Sequence, residues 1–372
     1  MVFVQAPGKL ILSGEWSVLE QGNPAIVMAV DSASTVLIKE MPQTAISSPD
    51  FGIKKIACKF DGKSLEMPNA TPKQKEVLRF VKSAAETALR YLNEKKIPLK
   101  KFELATGSKK NSIKKPGGSF QKTGFGSSAA ITVATVAAVL ELHGEQITKN
   151  RGTIYKLAAI SHFLGQGRIG SAADIAASTF GGIVFYRRFD GPWLSLALEK
   201  KPLLEVVESD WPGFFAQEIP VPKNFELIAA FSGKSASTTK LAEKMGIFKK
   251  TNPADYMQAI GSIKDTTKKL ANALKKGESE KTFKLIAQNR DQLKELSEKS
   301  GNTLETRELS KIIETINKSG AAAKFSGAGG GDCAIGICYS KETKQQAIRA
   351  LKEKGLKPLD INISPTGVFR AD

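Results

Sequence analysis

Residues 122–130 read KTGFGSSAA, and a long apolar run follows. Three readings compete for this stretch: a phosphate cradle, a dinucleotide fingerprint, or a plain helix start. Gly124-x-Gly126-x-x-Ala129 matches the dinucleotide spacing formally. That fingerprint needs a buried strand directly before it and an acidic residue on a second strand about 20 residues on. Here the preceding residues are KKPGGSFQK, and a helical run and then HGEQITKNRG follow, so the dinucleotide reading is set aside. Glycines let consecutive N–H groups converge on one point. Ser127 and Ser128 stand where a helix begins. Their hydroxyls are expected to cap that helix, whose free N–H groups and dipole suit an anion. A serine hydroxyl beside phosphates can also ligate Mg2+. From this stretch alone, the cradle and the bare Ser-capped helix both stay open.

The run after it, Ala129 to Leu142, is 14 residues with two Thr and one Glu, which suits a buried helix and is too short to span a membrane. The whole chain has 372 residues, 41% hydrophobic and 25% charged, enough for a large core in two domains. Its net charge of +18 favours anionic partners without choosing among them, and the lysines are scattered as on a solvated surface. No aromatic-interleaved basic stripe points to nucleic acid. Cys58, Cys333 and Cys338 make no disulfide framework and no metal spacing, so buried thiols are expected. The N-terminus shows no signal-peptide pattern, and a cytoplasmic protein without membrane attachment is expected. Oligomeric state is left open.

Outward from KTGFGSSAA, KLILSGEWSVL and AIVMAVDSASTVLIKE read as strands, and PKQKEVLRFVKSAAETALRYLNEKK as a helix with a proline start. Helices are expected from about Ser128 to Leu142, from Thr153 to Leu164 and from near Ser171, with GGIVFYRRF a strand. The prolines clustered in residues 191–224 suggest a domain boundary, giving an N-terminal domain over 1–205 and a C-terminal domain over 206–372. The second half carries three amphipathic helices, a glycine loop between short apolar strands, and a helix from about Lys341 to Glu353. Strands and helices without regular alternation argue for the α+β class.

Two further glycine segments stand out. FSGAGGGDC, Phe325 to Cys333, is too glycine-dense for an ordinary hairpin turn and points to close backbone approach. In APGKLILSGEWSVLEQGNPA, Lys9 heads an apolar strand as either an edge solubiliser or a placed cation. FSGKSAS imitates the end of a Walker loop, but the position of that loop's first glycine holds Ile228.

Taken in order, PGKLILSGEWSVLEQGNPAI, TGFGSSAA and KFSGAGGGDC resemble the three motifs of the GHMP kinase superfamily, from residue 7 to residue 333. Trp16 after Gly14-Glu15, and Lys122-Thr123 before the glycines, are similar to its phosphomevalonate kinase branch. So are SHFLGQGRIGSAADIAASTFGGIVFYRRF (residues 161–189) and GKSASTTKL (residues 233–241). One departure is Ala172-Ala173, where the branch commonly has Gly-Phe before the acidic residue, here Asp174.

The resemblance implies a ribosomal S5 domain 2-like N-terminal domain, a ferredoxin-like C-terminal domain, and ATP-dependent phosphoryl transfer to 5-phosphomevalonate between them. It implies that Lys122, Thr123, Gly124, Phe125, Gly126, Ser127, Ser128 and Ala129 hold ATP, with Ser127 or Ser128 touching Mg2+. Lys9 and Asp174 become the catalytic pair. Asp174 is the general base for an alcohol acceptor and an orienting group for a phosphate acceptor. Gly14, Glu15, Trp16, Arg168, Gly170, Ser171, Lys234, Ser235, Ser237, Gly327, Ala328 and Gly329 are implied on the acceptor side. The competing readings are a kinase acting on mevalonate or another small alcohol, an ATP-using decarboxylase, and a non-catalytic anion-binding protein. Adenine contacts are expected among residues 50–115.

Overall fold

The computed structural model describes residues 1–109, 112–114, 120–122, 124–167 and 170–371, the two three-residue pieces by their backbone only. Thr123 and Arg168 therefore lie outside the described residues, as does the Lys122 side chain. The first half contains strands β1 (Val2–Ser13), β2 (Pro24–Glu40), β3 (Ala45–Ser48), β4 (Ile53–Ala57), β5 (Lys59–Phe60) and β6 (Leu65–Glu66). Helix α1 (Pro72–Glu94), β7 (Phe102–Lys109) and a hairpin of β8 (Ser112–Lys114) and β9 (Phe120–Lys122) follow. Then come α2 (Ser127–Leu142), α3 (Arg151–Gly165), α4 (Ala173–Phe180), β10 (Ile183–Arg187), α5 (Gly191–Lys200), α6 (Leu203–Glu208) and β11 (Phe215–Ile219). The second half runs β12 (Glu226–Phe231), α7 (Thr238–Thr251), α8 (Pro253–Lys276), α9 (Ser279–Lys299), α10 (Arg307–Lys318) and β13 (Ala322–Phe325). It ends with β14 (Cys333–Cys338), α11 (Lys341–Glu353), β15 (Lys357–Pro358) and β16 (Phe369–Ala371).

Two sheets organise these elements. The larger has the order β11-β10-β2-β7-β3-β4, with β1 paired to β2 and β16 to β1. The smaller is fully antiparallel in the order β13-β14-β12-β15, the order of a ferredoxin-like sheet. Helix α2 is apolar all round and almost wholly buried, between the large sheet and helices α1, α3 and α4. Its alanines let these elements approach closely. Thr71 and Gln74 cap α1 reciprocally and Pro72 occupies its first turn, which fixes where that helix starts. The three cysteines are free and buried.

The expected division at residues 205/206 is corrected: it falls inside α6, and β11 beyond it still pairs with β10 of the large sheet. The misleading signal was proline. Pro192 sits in the first turn of α5, capped by Asp190, and Pro202 is the N-cap of α6, so these prolines start helices rather than separate domains. The sheets part only after Ile219. The C-terminus then crosses back, with Ile363 bridging to Val30 and β16 pairing with β1, so residues 206–372 are not self-contained.

Candidate active site

The site begins with an irregularity in β1. Its register against β2 slips between Pro7 and Gly8, which re-aims the residues that follow. The Lys9 N–H donates to Phe125 O at 2.8 Å, and Lys9 Nζ reaches Gly124 O at 3.5 Å. The cation is therefore placed on the KTGFGSSAA turn, which settles the alternative left open for Lys9. Phe125 is the anchor of that turn, its ring buried with Leu10, Leu12, Phe231 and Cys333 between the two sheets.

The turn itself demands glycine. Gly124 and Gly126 have φ of +80° and +71°, and a Cβ on Gly126 would lie 3.0 Å from Lys9 Cγ. Gly126 is the N-cap of α2, and no side chain caps that helix. The expected hydroxyl capping by Ser127 or Ser128 is thus corrected. The left-handed glycine turns the chain into the helix by itself, and the first N–H groups of α2 stay available to an anion. Ser128 Oγ instead lies 3.3 Å from His162 Nε2.

The third glycine segment closes on the second from the other sheet. A Cβ on Gly124 would come within 2.7 Å of Asp332 Cβ and Cγ, so the two loops touch backbone to side chain. Asp332 adopts φ +56°; its N–H donates to Lys234 O at 2.8 Å and its Oδ1 accepts from Ala236 N–H at 3.3 Å. Burial pushes its carboxyl above the usual aspartate range, against the opposing pull of that N–H and of Lys9. Gly327 lies beside Lys9, with 4.0 Å from its would-be Cβ to Nζ. Gly329, by contrast, is pressed on Leu304 O, and Ala328 packs against the core of the second half. Both contacts fix the loop's shape.

The first motif departs further from expectation. Glu15 is expected on the acceptor side, but its side chain is 0% exposed and paired with Lys324 of β13, also 0% exposed. Lys324 Nζ also donates to Phe325 O at 2.6 Å. Trp16, 5% exposed at φ +62°, packs with Ile228, Ala230 and Phe325 in the core of the second half. A Cβ on Gly14 would meet Pro24 O at 2.4 Å, so this glycine serves strand contact. All three acceptor-side assignments are therefore corrected: Gly14-Glu15-Trp16 joins the two halves of the molecule.

The 161–174 segment does reach the loop. Asp174 lies in the first turn of α4, with Oδ1 accepting from Ile175 N–H at 3.0 Å. Ala172, before it, takes φ +57°, a conformation the glycine common at this place in the resembled branch holds without a Cβ penalty. Ser171 Oγ accepts from Ala173 N–H, and Ser171 O accepts from Tyr186 OH at 2.5 Å. Gly170 has φ +115° and faces Gln166 Oε1. Among the described residues no ion pair joins Asp174 to Lys9. The charges next to Lys9 include Asp332, and those next to His162 include Asp174. His162 is 4% exposed and stacks on Phe80 with ring centroids 5.1 Å apart.

Lys234 is 73% exposed and paired with Glu308 at 2.9 Å, which helps hold that carboxyl down at about 2. Ser235 and Ser237 are also exposed, and Ser237 precedes α7 without capping it. What this segment gives the site is backbone, through Lys234 O and Ala236 N–H to Asp332. Asp332 and His162 are the residues that sequence reasoning missed as site members. Both sit inside quoted motifs, but neither has a spacing partner nearby in sequence.

Two family models match the chain: GHMP kinases N terminal domain over residues 79–182 and GHMP kinases C terminal over residues 270–357, together about half of its length. The chain belongs to the GHMP kinases. It is thereby an ATP-dependent phosphotransferase. Among proteins similar to this GHMP kinase is the phosphomevalonate kinase of Streptomyces sp. (strain CL190), 28% identical over 98% of this chain and 97% of that protein. The mevalonate kinase of Pyrococcus furiosus is 27% identical over 99% of this chain and 97% of its own. The fold matches Streptococcus pneumoniae phosphomevalonate kinase in complex with phosphomevalonate and AMPPNP, with a TM-score of 0.80 at 23% identity over the whole of both chains. No helix of the described residues is long and apolar enough to cross a membrane.

Proposed function

We propose that this GHMP kinase transfers the γ-phosphoryl group of ATP to 5-phosphomevalonate, giving 5-diphosphomevalonate. The observation that carries the reading is where His162 of the 161–174 stretch lies. This stretch resembles the phosphomevalonate kinase branch, and its His162 lies 3.3 Å from Ser128 Oγ at the mouth of the phosphate loop. The full-length likeness to a protein named phosphomevalonate kinase supports it.

The donor set fits ATP. Two left-handed glycines, uncapped N–H groups of α2 and Lys9 come together at one turn, as a triphosphate needs. Ser127 and Ser128, freed from capping, are the hydroxyls that would hold Mg2+, which supplies charge neutralisation at the β- and γ-phosphates. In the transfer, an acceptor phosphate oxygen forms a bond to Pγ while the bond from Pγ to the β,γ-bridging oxygen breaks, and ADP leaves with that electron pair. Lys9 stabilises the charge that develops around Pγ. The second pKa of a phosphate monoester is about 6, so the attacking oxygen is already ionised at neutral pH and needs no base. Asp174 then serves to orient the acceptor.

A mevalonate acceptor is the second reading, favoured by the equally long likeness to a mevalonate kinase and by Ala172-Ala173 before Asp174. Coupled measurement of ADP release with phosphomevalonate and with mevalonate separates the two. Turnover confined to mevalonate sinks the first reading.

A further inference from the structure

We infer that His162 is a positioning residue: its unprotonated Nε2 receives the hydroxyl proton of Ser128, which turns the Ser128 Oγ lone pairs toward the cation that accompanies ATP. The cation half of this inference rests on the function proposed above; the hydrogen-bond half does not.

The geometry gives the direction of the bond. Nε2 of an imidazole is a donor or an acceptor, never both at once. Among the described residues two atoms face His162 Nε2: Ser128 Oγ at 3.3 Å and Gln166 Nε2 at 3.2 Å. The amide nitrogen of Gln166 only donates, while its Oε1 is turned toward Gly170. With the Gln166 amide in this orientation its nitrogen donates, so Nε2 accepts and the ring carries its proton on Nδ1. Nε2 has one in-plane lone pair, which the Gln166 N–H at 3.2 Å and the Ser128 hydroxyl at 3.3 Å share, and the tautomer measurement below tests that arrangement. A hydroxyl that ligates a cation has to send its hydrogen elsewhere, and His162 gives it a fixed destination.

The ring is held for this task. It is 4% exposed, stacks on Phe80 at an interplanar angle of 26°, and is clamped by Gln166, whose own N–H donates to His162 O at 3.0 Å.

The chain has only two histidines, which makes the tautomer directly readable. His143 is a built-in reference. Its Nδ1 lies 2.7 Å from Val139 O and must donate, and its Nε2 accepts from Lys100 N–H at 2.9 Å. In a two-bond ¹H–¹⁵N correlation spectrum of the ¹⁵N-histidine-labelled wild-type enzyme, assigned with His143→Gln, both rings are expected to show a pyridine-type Nε2 and a pyrrole-type Nδ1. A pyrrole-type Nε2 on His162 would overturn the inference while leaving the kinase reading intact.

The second arm measures Mn2+ affinity with AMPPNP by electron paramagnetic resonance. His162→Leu is expected to weaken it about 10-fold or more, with partial recovery in His162→Gln, which keeps an acceptor. In a Ser128→Ala background His162→Leu should change nothing further. An undiminished effect in that background overturns the inference. Absence of nucleotide-dependent Mn2+ binding in the wild-type enzyme overturns the cation half and the kinase reading together.

Discussion

Glu15, just past the end of β1, and Lys324, on β13, form an ion pair whose two side chains are both 0% exposed. It ties the end of β1 to β13 of the smaller sheet, beside the Gly327 backbone. Breaking one side of such a pair strands a charge in the interior. Lys324→Met is expected to destabilise the protein by about 3–5 kcal/mol, whereas Glu15→Leu combined with Lys324→Met should recover most of that loss. Urea unfolding of the wild type and the variants checks this. If the double variant is no more stable than Lys324→Met alone, the stranded-charge account is wrong.

The contact of Gly124 with Asp332 makes a second prediction. Gly124→Ala puts a Cβ 2.7 Å from Asp332 and forces a residue with a side chain into φ +80°, so both stability and ATP binding should suffer. The stability loss should be about 1–3 kcal/mol. Adding Asp332→Gly removes the steric half and should restore part of the ATP affinity measured by calorimetry. Purely additive effects would mean that the two loops do not act on each other.

How much of this was visible in the sequence depends on the range over which each signal acts. The helices with strong apolar periodicity fall close to their expected bounds, and α11 runs from Lys341 to Glu353 as read. The left-handed turn at Gly124 and Gly126 was legible because glycine density is a local signal. Glu15 was misread because its partner is 309 residues away and a buried ion pair leaves no local mark. The hydroxyl cap at Ser127 and Ser128 was misread for another reason: serine before a helix usually caps it, but Gly126 had already done the turning. Within residues 191–224 Pro192 and Pro202 start helices, whereas Pro220 and Pro222 follow Ile219, where the sheets part; composition alone does not distinguish those two uses, and the division at 205/206 fell among the helix-starting prolines.

Asp332 makes stability depend on pH. Its carboxyl, ordinarily near 3.8, is raised by burial, so the folded state holds the proton more tightly than the unfolded chain does. Between that ordinary value and the folded one the native state binds more protons. Stability therefore falls as pH rises through this window and is unaffected by the group below it. Asp332→Asn keeps the acceptor for Ala236 N–H and removes the charge. Its stability relative to wild type should be higher at pH 7 than at pH 4, read from denaturant midpoints; an equal difference at both pH values contradicts the assignment.

Lys9 and Asp174 should behave differently on mutation. Lys9→Met removes a cation from beside the loop and is expected to lower kcat about 10²- to 10³-fold, with a smaller change in KM. Asp174→Asn should lower kcat by a factor that stays constant between pH 6.5 and 9, because an ionised phosphate acceptor needs no deprotonation. A loss that tracks an alcohol-like deprotonation across that range would assign Asp174 as a general base and an alcohol as the acceptor.

The identity of the acceptor is read out by a coupled assay of ADP release. Purified enzyme is given Mg2+·ATP with either 5-phosphomevalonate or mevalonate at equal concentrations. The account predicts turnover with 5-phosphomevalonate at a kcat/KM at least about 100-fold above that for mevalonate, a ratio worth roughly 2.7 kcal/mol of transition-state binding. Turnover of mevalonate with none of 5-phosphomevalonate would contradict it.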